Sequence, residues 1–178
     1  MALDADNVRV GLTGAAYVAP SGTTAPTTST SSWAAGWKDL GWLSDAGVEE
    51  SYTDNVQEIK AWQLGATVRK VIKDSTAEFK FTCIETSKTV LELFHKGDTI
   101  SAGTLNVTNP TADRRAFGFD VIDGSVHLRI VIPDGEVTNR VKSPYKSDEA
   151  SSYEITITCY PDSSGVVLTK ISDDPAWA

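Results

Sequence analysis

The chain has 178 residues, a formal net charge of −8 from 16 Lys and Arg against 24 Asp and Glu, and 40% hydrophobic residues. That is one domain's worth of ordinary globular material, with too few clustered cations for tight phosphate binding and no apolar run near the ~20 residues of a membrane helix. The first six residues, Met1-Ala2-Leu3-Asp4-Ala5-Asp6, carry neither a basic patch nor an apolar stretch, so no signal peptide is expected and folding is expected in the cytoplasm.

In chain order, residues 1–13 read as an N-terminal arm and GAAYVA at 14–19 as a short strand. Residues 20–36, PSGTTAPTTSTSSWAAG, hold nine Ser or Thr in seventeen positions. Such a stretch is predicted to be a long exposed loop, because it has little surface to bury against its ordering entropy. Trp33, Trp37 and Trp42 follow where the chain re-enters the core.

From about residue 40 the apolar period is two, the mark of half-buried strands. It aligns Phe79, Phe81 and Cys83 opposite Glu78, Lys80 and Thr82; Phe117, Phe119 and Val121; Val126, Leu128, Ile130 and Ile132 opposite His127 and Arg129; and Tyr153, Ile155, Ile157 and Cys159 opposite Glu154, Thr156 and Thr158. Three hairpin turns are predicted: Lys73-Asp74-Ser75, Asp123-Gly124-Ser125, and Asp134-Gly135 after Pro133. One helix is predicted, capped by Thr86 or Ser87, with Val90, Leu91, Leu93 and Phe94 as its apolar face and Gly97 as its stop. The fold class is therefore mainly β, an antiparallel β-sandwich or flattened barrel with one flanking α-helix and long loops, in a single domain over 1–178 with a short extension at 172–178.

The search for chemistry is unproductive. His95 and His127 have no motif neighbours, and no CxxC, HExxH, calcium loop or glycine-rich phosphate loop is present. Adjacent acids such as Glu49-Glu50, Asp148-Glu149 and Asp173-Asp174 point to opposite sides of an extended chain and do not form an acid/base pair. No catalytic residue, cofactor or metal is expected. Cys83 and Cys159 are predicted as reduced core thiols, with a disulfide as the alternative.

The order of segments over 8–169 resembles the major tail (tail tube) proteins of long-tailed, non-contractile phages of the siphovirus type. The resemblance is carried by WKDLGWLSDAGV, then ESYTDN, then VQEIKAWQLGA, then DSTAEFKFTCIET leading into KTVLELFHKGD. RIVIPDGEVTNR and SSYEITITCYPD resemble such proteins from phages of actinobacterial hosts.

The resemblance implies a structural subunit of the virion tail. It would be assembled in the host cytoplasm into six-membered rings, stacked as a hollow conduit with an acidic lumen. The partners implied are other copies of the chain, a tape measure protein, tail terminator and initiator proteins, and double-stranded DNA passing without specific binding; no membrane is involved. Residues 54–65 match the family segment that reaches a neighbouring ring, making Asp54, Glu58, Ile59 and Trp62 the candidate contact loop. By alternation Glu49, Glu78 and Glu154 are the candidate lumen-facing acids. The alternatives are a tube protein of a contractile tail or secretion system, and a carbohydrate-binding β-sandwich with Trp33, Trp37 and Trp42 exposed on one flat face. A hydrolase would need a nucleophile and base that the sequence lacks.

Overall fold

The structure, a computed structural model, describes residues 5–177. Its strands are β1 (Thr13–Pro20), β2 (Lys38–Asp39), β3 (Leu43–Lys60), β4 (Thr67–Cys83), β5 (Ile100–Ser101), β6 (Thr104–Leu105), β7 (Arg114–Asp123), β8 (Val126–Lys142), β9 (Tyr153–Tyr160) and β10 (Thr169–Ser172), with one α-helix, α1 (Lys88–Phe94), between β4 and β5. The hydrogen-bonded order is β2-β1-β7-β8-β9-β4-β3, with β10 also on β8, and every pairing is antiparallel. The path ends at β2 on one side and β3 on the other, so the barrel is not closed.

Strand β8 makes a sandwich out of this single path. Its first half bonds β7 and β10, and its second half bonds β9 from Asp134↔Tyr160 to Lys142↔Tyr153. The change of layer falls at Pro133-Asp134, two residues that together oppose the single Ala116 between the pairs Arg115↔Gly135 and Phe117↔Ile132. Such a bulge bends a strand around a sandwich corner. Pro133 lacks a donor and is tolerated there, and Gly135 lets the corner close, since a Cβ would lie 2.9 Å from the Phe117 ring. The predicted hairpin at Asp134-Gly135 is therefore a corner within one strand.

The predicted hairpin at Lys73 is likewise a bulge, between Asn55↔Asp74 and Val56↔Ile72 inside continuous β4. The third turn forms as predicted: Asp123 pairs with Val126 across Gly124-Ser125, with Gly124 at φ +59°.

The period-two residues form the core between the layers. Phe79 and Phe81 of β4 each meet Phe119 of β7 with ring centroids 5.4 Å apart, and Phe117, Ile132, Ile155 and Ile157 are buried with them. Helix α1 covers one end of this core: Val90, Leu93 and Phe94 are buried, and Phe94 packs edge-on against Tyr153 at 5.3 Å. Ser87 is its N-cap, accepting the Val90 N–H, and the chain turns away through Lys96 and Gly97 at φ +53° and +93°. Cys83 and Cys159 are free and buried. They pair with Tyr153 and Ala77 at opposite ends of the β4–β9 ladder, about 20 Å apart at ~3.3 Å per residue. Burial pushes both thiols up to about 12.

The Ser/Thr-rich segment has no helix or strand past Pro20 and is exposed over most of its length, and its indoles anchor it to the outer face of the β1-β7-β8 layer. Trp37 is buried with Ala19, Ala116 and Val131, and Trp33 packs between Tyr17 and Trp37 at 4.6 Å from each ring. Beneath it Arg129, whose side chain is 4% exposed, bonds both carboxylate oxygens of Asp120 at 2.7 and 3.0 Å and donates to the carbonyls of Thr28 and Ser31 at 2.9 and 2.7 Å. The Trp33 indole N–H donates to the same Asp120 at 2.8 Å. Gly118 permits this, because a Cβ there would sit 2.1 Å from the Trp33 ring. Two indoles and one guanidinium supply the anchoring that the hydroxyl-rich stretch lacks.

Candidate assembly surface

Strand β9 supports β4 only from Ala77 onward. Beyond Thr53↔Thr76 the β3–β4 pair continues alone as a two-stranded ribbon, closed by a turn in which the Ala61 N–H bonds the Ala66 carbonyl at 2.8 Å and Leu64 and Gly65 take φ +58° and +64°. The segment 54–65, expected as a loop, is thus half strand. Asp54 pairs with Ser75 at the ribbon's base, Glu58 and Ile59 lie opposite Lys70 and Arg69 midway, and Trp62 stands at the tip, 98% exposed. Glu58 forms an ion pair with Lys70 at 2.8 Å. Val56, Leu64, Val68 and Ile72 are also exposed on the ribbon, and the sequence reading missed them because a strand with no buried face shows no alternation. A lone two-stranded ribbon is marginal in water, and contiguous exposed apolar groups mark a contact surface.

The three predicted lumen acids fall together. Glu49, Glu78 and Glu154 line one shallow depression of about 470 Å³ on the outer face of the β8-β9-β4-β3 layer, with Ser51, Lys80, Thr138, Asn139 and Thr156. Lys80 pairs with Glu154 at 3.0 Å, and Glu78 accepts from Thr158 at 3.1 Å. Three carboxylates against one ammonium leave this face acidic. Among the described residues no segment covers it, whereas the outer face of the other layer lies under residues 21–37.

Both margins of the bare layer are open: β3 is the terminal strand, and among the described residues no strand bonds the outer edge of β8 past Glu136.

The chain ends form a clasp. Arg9 bonds Asp174 through two nitrogens at 2.6 and 2.7 Å, and Asp174 also accepts the Ala176 N–H at 2.9 Å. Asp173 accepts the His127 backbone N–H at 2.6 Å and faces its ring Nδ1 at 3.1 Å. Residues 1–4 of the N-terminal arm and residue 178 of the extension lie outside the described residues. The Arg9 bonds hold the Asp174 carboxyl down to about 2, against an ordinary value of about 3.9. A depressed folded-state value means the clasp is fully stabilising above about pH 4 and loses this contribution as pH falls towards 2. Carboxyl titration followed by NMR should give Asp174 a midpoint near 2, rising towards the ordinary range in Arg9→Ala, where the Ala176 N–H bond remains. A midpoint near 4 in the unaltered chain would contradict the pairing.

No cluster of metal-ligating side chains occurs among the described residues. Nor do the tryptophans form a flat platform, since Trp37 is buried, Trp33 is clamped between rings and Trp42 stands apart at 76% exposed. No described helix is long and apolar enough to cross a membrane.

The sequence profile of a family described as phage tail tube protein matches residues 1–178. A comparison with curated protein sequences gives no match. Among solved structures the chain is similar to a protein in the tail of an empty gene transfer agent particle with C6 symmetry, at 10% identity over 75% of this chain and 85% of that one with a TM-score of 0.44. It is also similar to a protein in the virion of a native gene transfer agent particle, at 9% identity over 78% and 89% with a TM-score of 0.42. A third likeness is to the tube terminating cap of the anti-feeding prophage, at 11% identity over 96% and 98% with a TM-score of 0.46. With its whole length matched, the chain belongs to the phage tail tube protein family, as a structural subunit of the virion tail and not an enzyme.

Proposed function

We propose that this subunit closes into hexameric rings whose β8-β9-β4-β3 layers join edge to edge, and that the rings stack into a conduit with the acidic face of that layer turned to the lumen. The observation that carries the reading is the asymmetry of the two layers: one is covered by its own loop, and the other is bare, acidic and open along both margins. Unpaired strand edges are a liability that closure removes. Four antiparallel strands make an even set, so β3 of one copy and β8 of the next, related by rotation about the ring axis, meet antiparallel and continue the same ladder.

A carboxylate-lined wall repels phosphates and lets a duplex pass without adhering. Glu49, Glu78 and Glu154 would supply that repulsion. The ribbon with Asp54, Glu58, Ile59 and Trp62 projects past the body and would reach the neighbouring ring, gaining there the burial it lacks alone. The two ends of such a stack present unlike ring faces, the places for terminator and initiator proteins, and the tape measure protein is a further partner of the tube. The segment order that resembles long, flexible-tailed phages supports a non-contractile tail.

Electron microscopy of the purified chain over a concentration series tests the reading. Rings or tubes with six subunits per turn are expected. Compact single particles at every concentration, together with protection of the β3 outer-edge amides in that monomer, would overturn it.

A further inference from the structure

If the rings stack through the ribbon, the surface that receives it should be identifiable on the same chain. A cleft of about 670 Å³ lies between residues 11–15, at the start of β1, and residues 41–48. It exists because β3 leaves its ladder there: pairing jumps from Leu43↔Cys83 to Val48↔Phe81, so residues 44–47 stand out from β4. Facing them, β1 has a strand partner on that edge, among the described residues, only at Tyr17 and Val18, with the Ala16 carbonyl also accepting the Leu40 N–H at 2.9 Å. Two stretches of free strand edge therefore look into one opening.

The walls are distinctive. Leu12 and Trp42 offer exposed apolar surface, and Asp39, Asp45 and Glu85 offer carboxylates, with no Lys or Arg in the lining. Asp39 accepts the Gly41 N–H at 2.7 Å and Glu85 the Trp42 N–H at 3.2 Å, and neither carboxylate forms an ion pair among the described residues. Asp120, deeper in, is already held by Arg129.

The geometry points to the tip of the β3–β4 ribbon of a second copy as the occupant of this cleft. The tip is complementary in both respects. In a chain of net charge −8, residues 58–70 carry Lys60, Arg69 and Lys70 against Glu58 alone, and Glu58 is taken up by Lys70. Trp62 and Leu64 supply exposed apolar side chains at the turn. Cleft and tip also lie towards opposite ends of one strand: residue 46 is near the start of β3 and residue 62 just past its end, up to about 50 Å apart at ~3.3 Å per residue. Two complementary surfaces at opposite ends of a subunit are what head-to-tail association needs to repeat without limit. This inference rests on the stacking reading above and assigns the receiving site that the reading left open.

Two arms test it, with tube formation as a separate readout. In the first, Asp45→Cys and Gln63→Cys are combined; both positions are exposed, and the native thiols are buried. Tubes of the double variant under mild oxidation should give a ladder of covalent oligomers, with none from either single variant. In the second, Lys60→Glu should raise the concentration needed for tubes about tenfold, and adding Asp45→Lys should restore it, since like charges brought together across an interface are penalised and their reversal relieves the penalty. Tubes that form normally yet neither crosslink nor respond to the charge exchange overturn this docking site and leave stacking intact. Absence of tubes from the unaltered chain overturns both.

Discussion

Trp62→Ala is expected to raise the protein concentration needed for tube formation about 30-fold and to leave the melting temperature of the free subunit unchanged. The factor follows from the ~2 kcal/mol or more that a central interface tryptophan commonly carries. The unchanged stability follows from its place in the subunit: at 98% exposed, with the ribbon's turn held by backbone bonds between Ala61 and Ala66, the indole supports nothing in its own chain, and surface substitutions of this kind stay within about 0.5 kcal/mol. Sedimentation across a concentration series measures the first quantity and thermal unfolding the second. A critical concentration that does not move removes Trp62 as an anchor. A fall in the melting temperature would mean instead that the side chain folds back onto its own domain.

How far such features can be read from the sequence depends on whether a buried face exists to impose a period. Residues 153–160 show it cleanly, because Tyr153, Ile155, Ile157 and Cys159 all enter the core. The outer stretches of β3 and β4 show nothing of the kind. Val56 pairs with Ile72 on one face and Glu58 with Lys70 on the same face, so apolar and charged residues share both sides and the segment looks like a loop. Turn chemistry misleads in a related way. Pro133-Asp134-Gly135 and Lys73-Asp74 have the composition of hairpin turns, but the same residues suit a bulge, and only the partner strand decides between them. Asp123-Gly124-Ser125 became a true turn because β7 and β8 pair directly across it.

The candidate sites divide along similar lines. Glu49, Glu78 and Glu154 could be placed on polar sides of their strands by alternation alone, and the antiparallel register of β3, β4 and β9 then brought them to one face. The cleft between residues 11–15 and 41–48 was not legible, since it arises from two edges that meet only after β8 has turned its corner. Alternation places Arg129 opposite the apolar row of its strand and gives no sign of its burial. The signal that could have corrected this was the presence of Trp33 and Trp37 in or beside a segment otherwise made of Ser, Thr, Gly and Ala, because large indoles require something to cover.

That covering arrangement leads to the second large effect. Arg129→Ala is expected to destabilise the subunit by about 3–5 kcal/mol, the usual result of removing one partner from a buried ion pair, out of a total that for most domains is ~5–15 kcal/mol. The substitution leaves the Asp120 carboxylate with the Trp33 indole N–H but without its guanidinium, and orphans the carbonyls of Thr28 and Ser31 at once. In a domain of this size each kcal/mol moves the melting temperature by roughly 2–4 °C, so a fall of about 6–20 °C should be seen by calorimetry. Arg129→Lys should not recover it, since one ammonium cannot reproduce a forked contact to a carboxylate while also donating to two carbonyls. Gly118→Ala approaches the same assembly from the other side, pressing a methyl into the Trp33 ring, and should release residues 21–37 to proteolysis while the inner phenylalanine core persists. A resistant loop in both variants would mean that residues 21–37 are held by something other than the guanidinium and the indole.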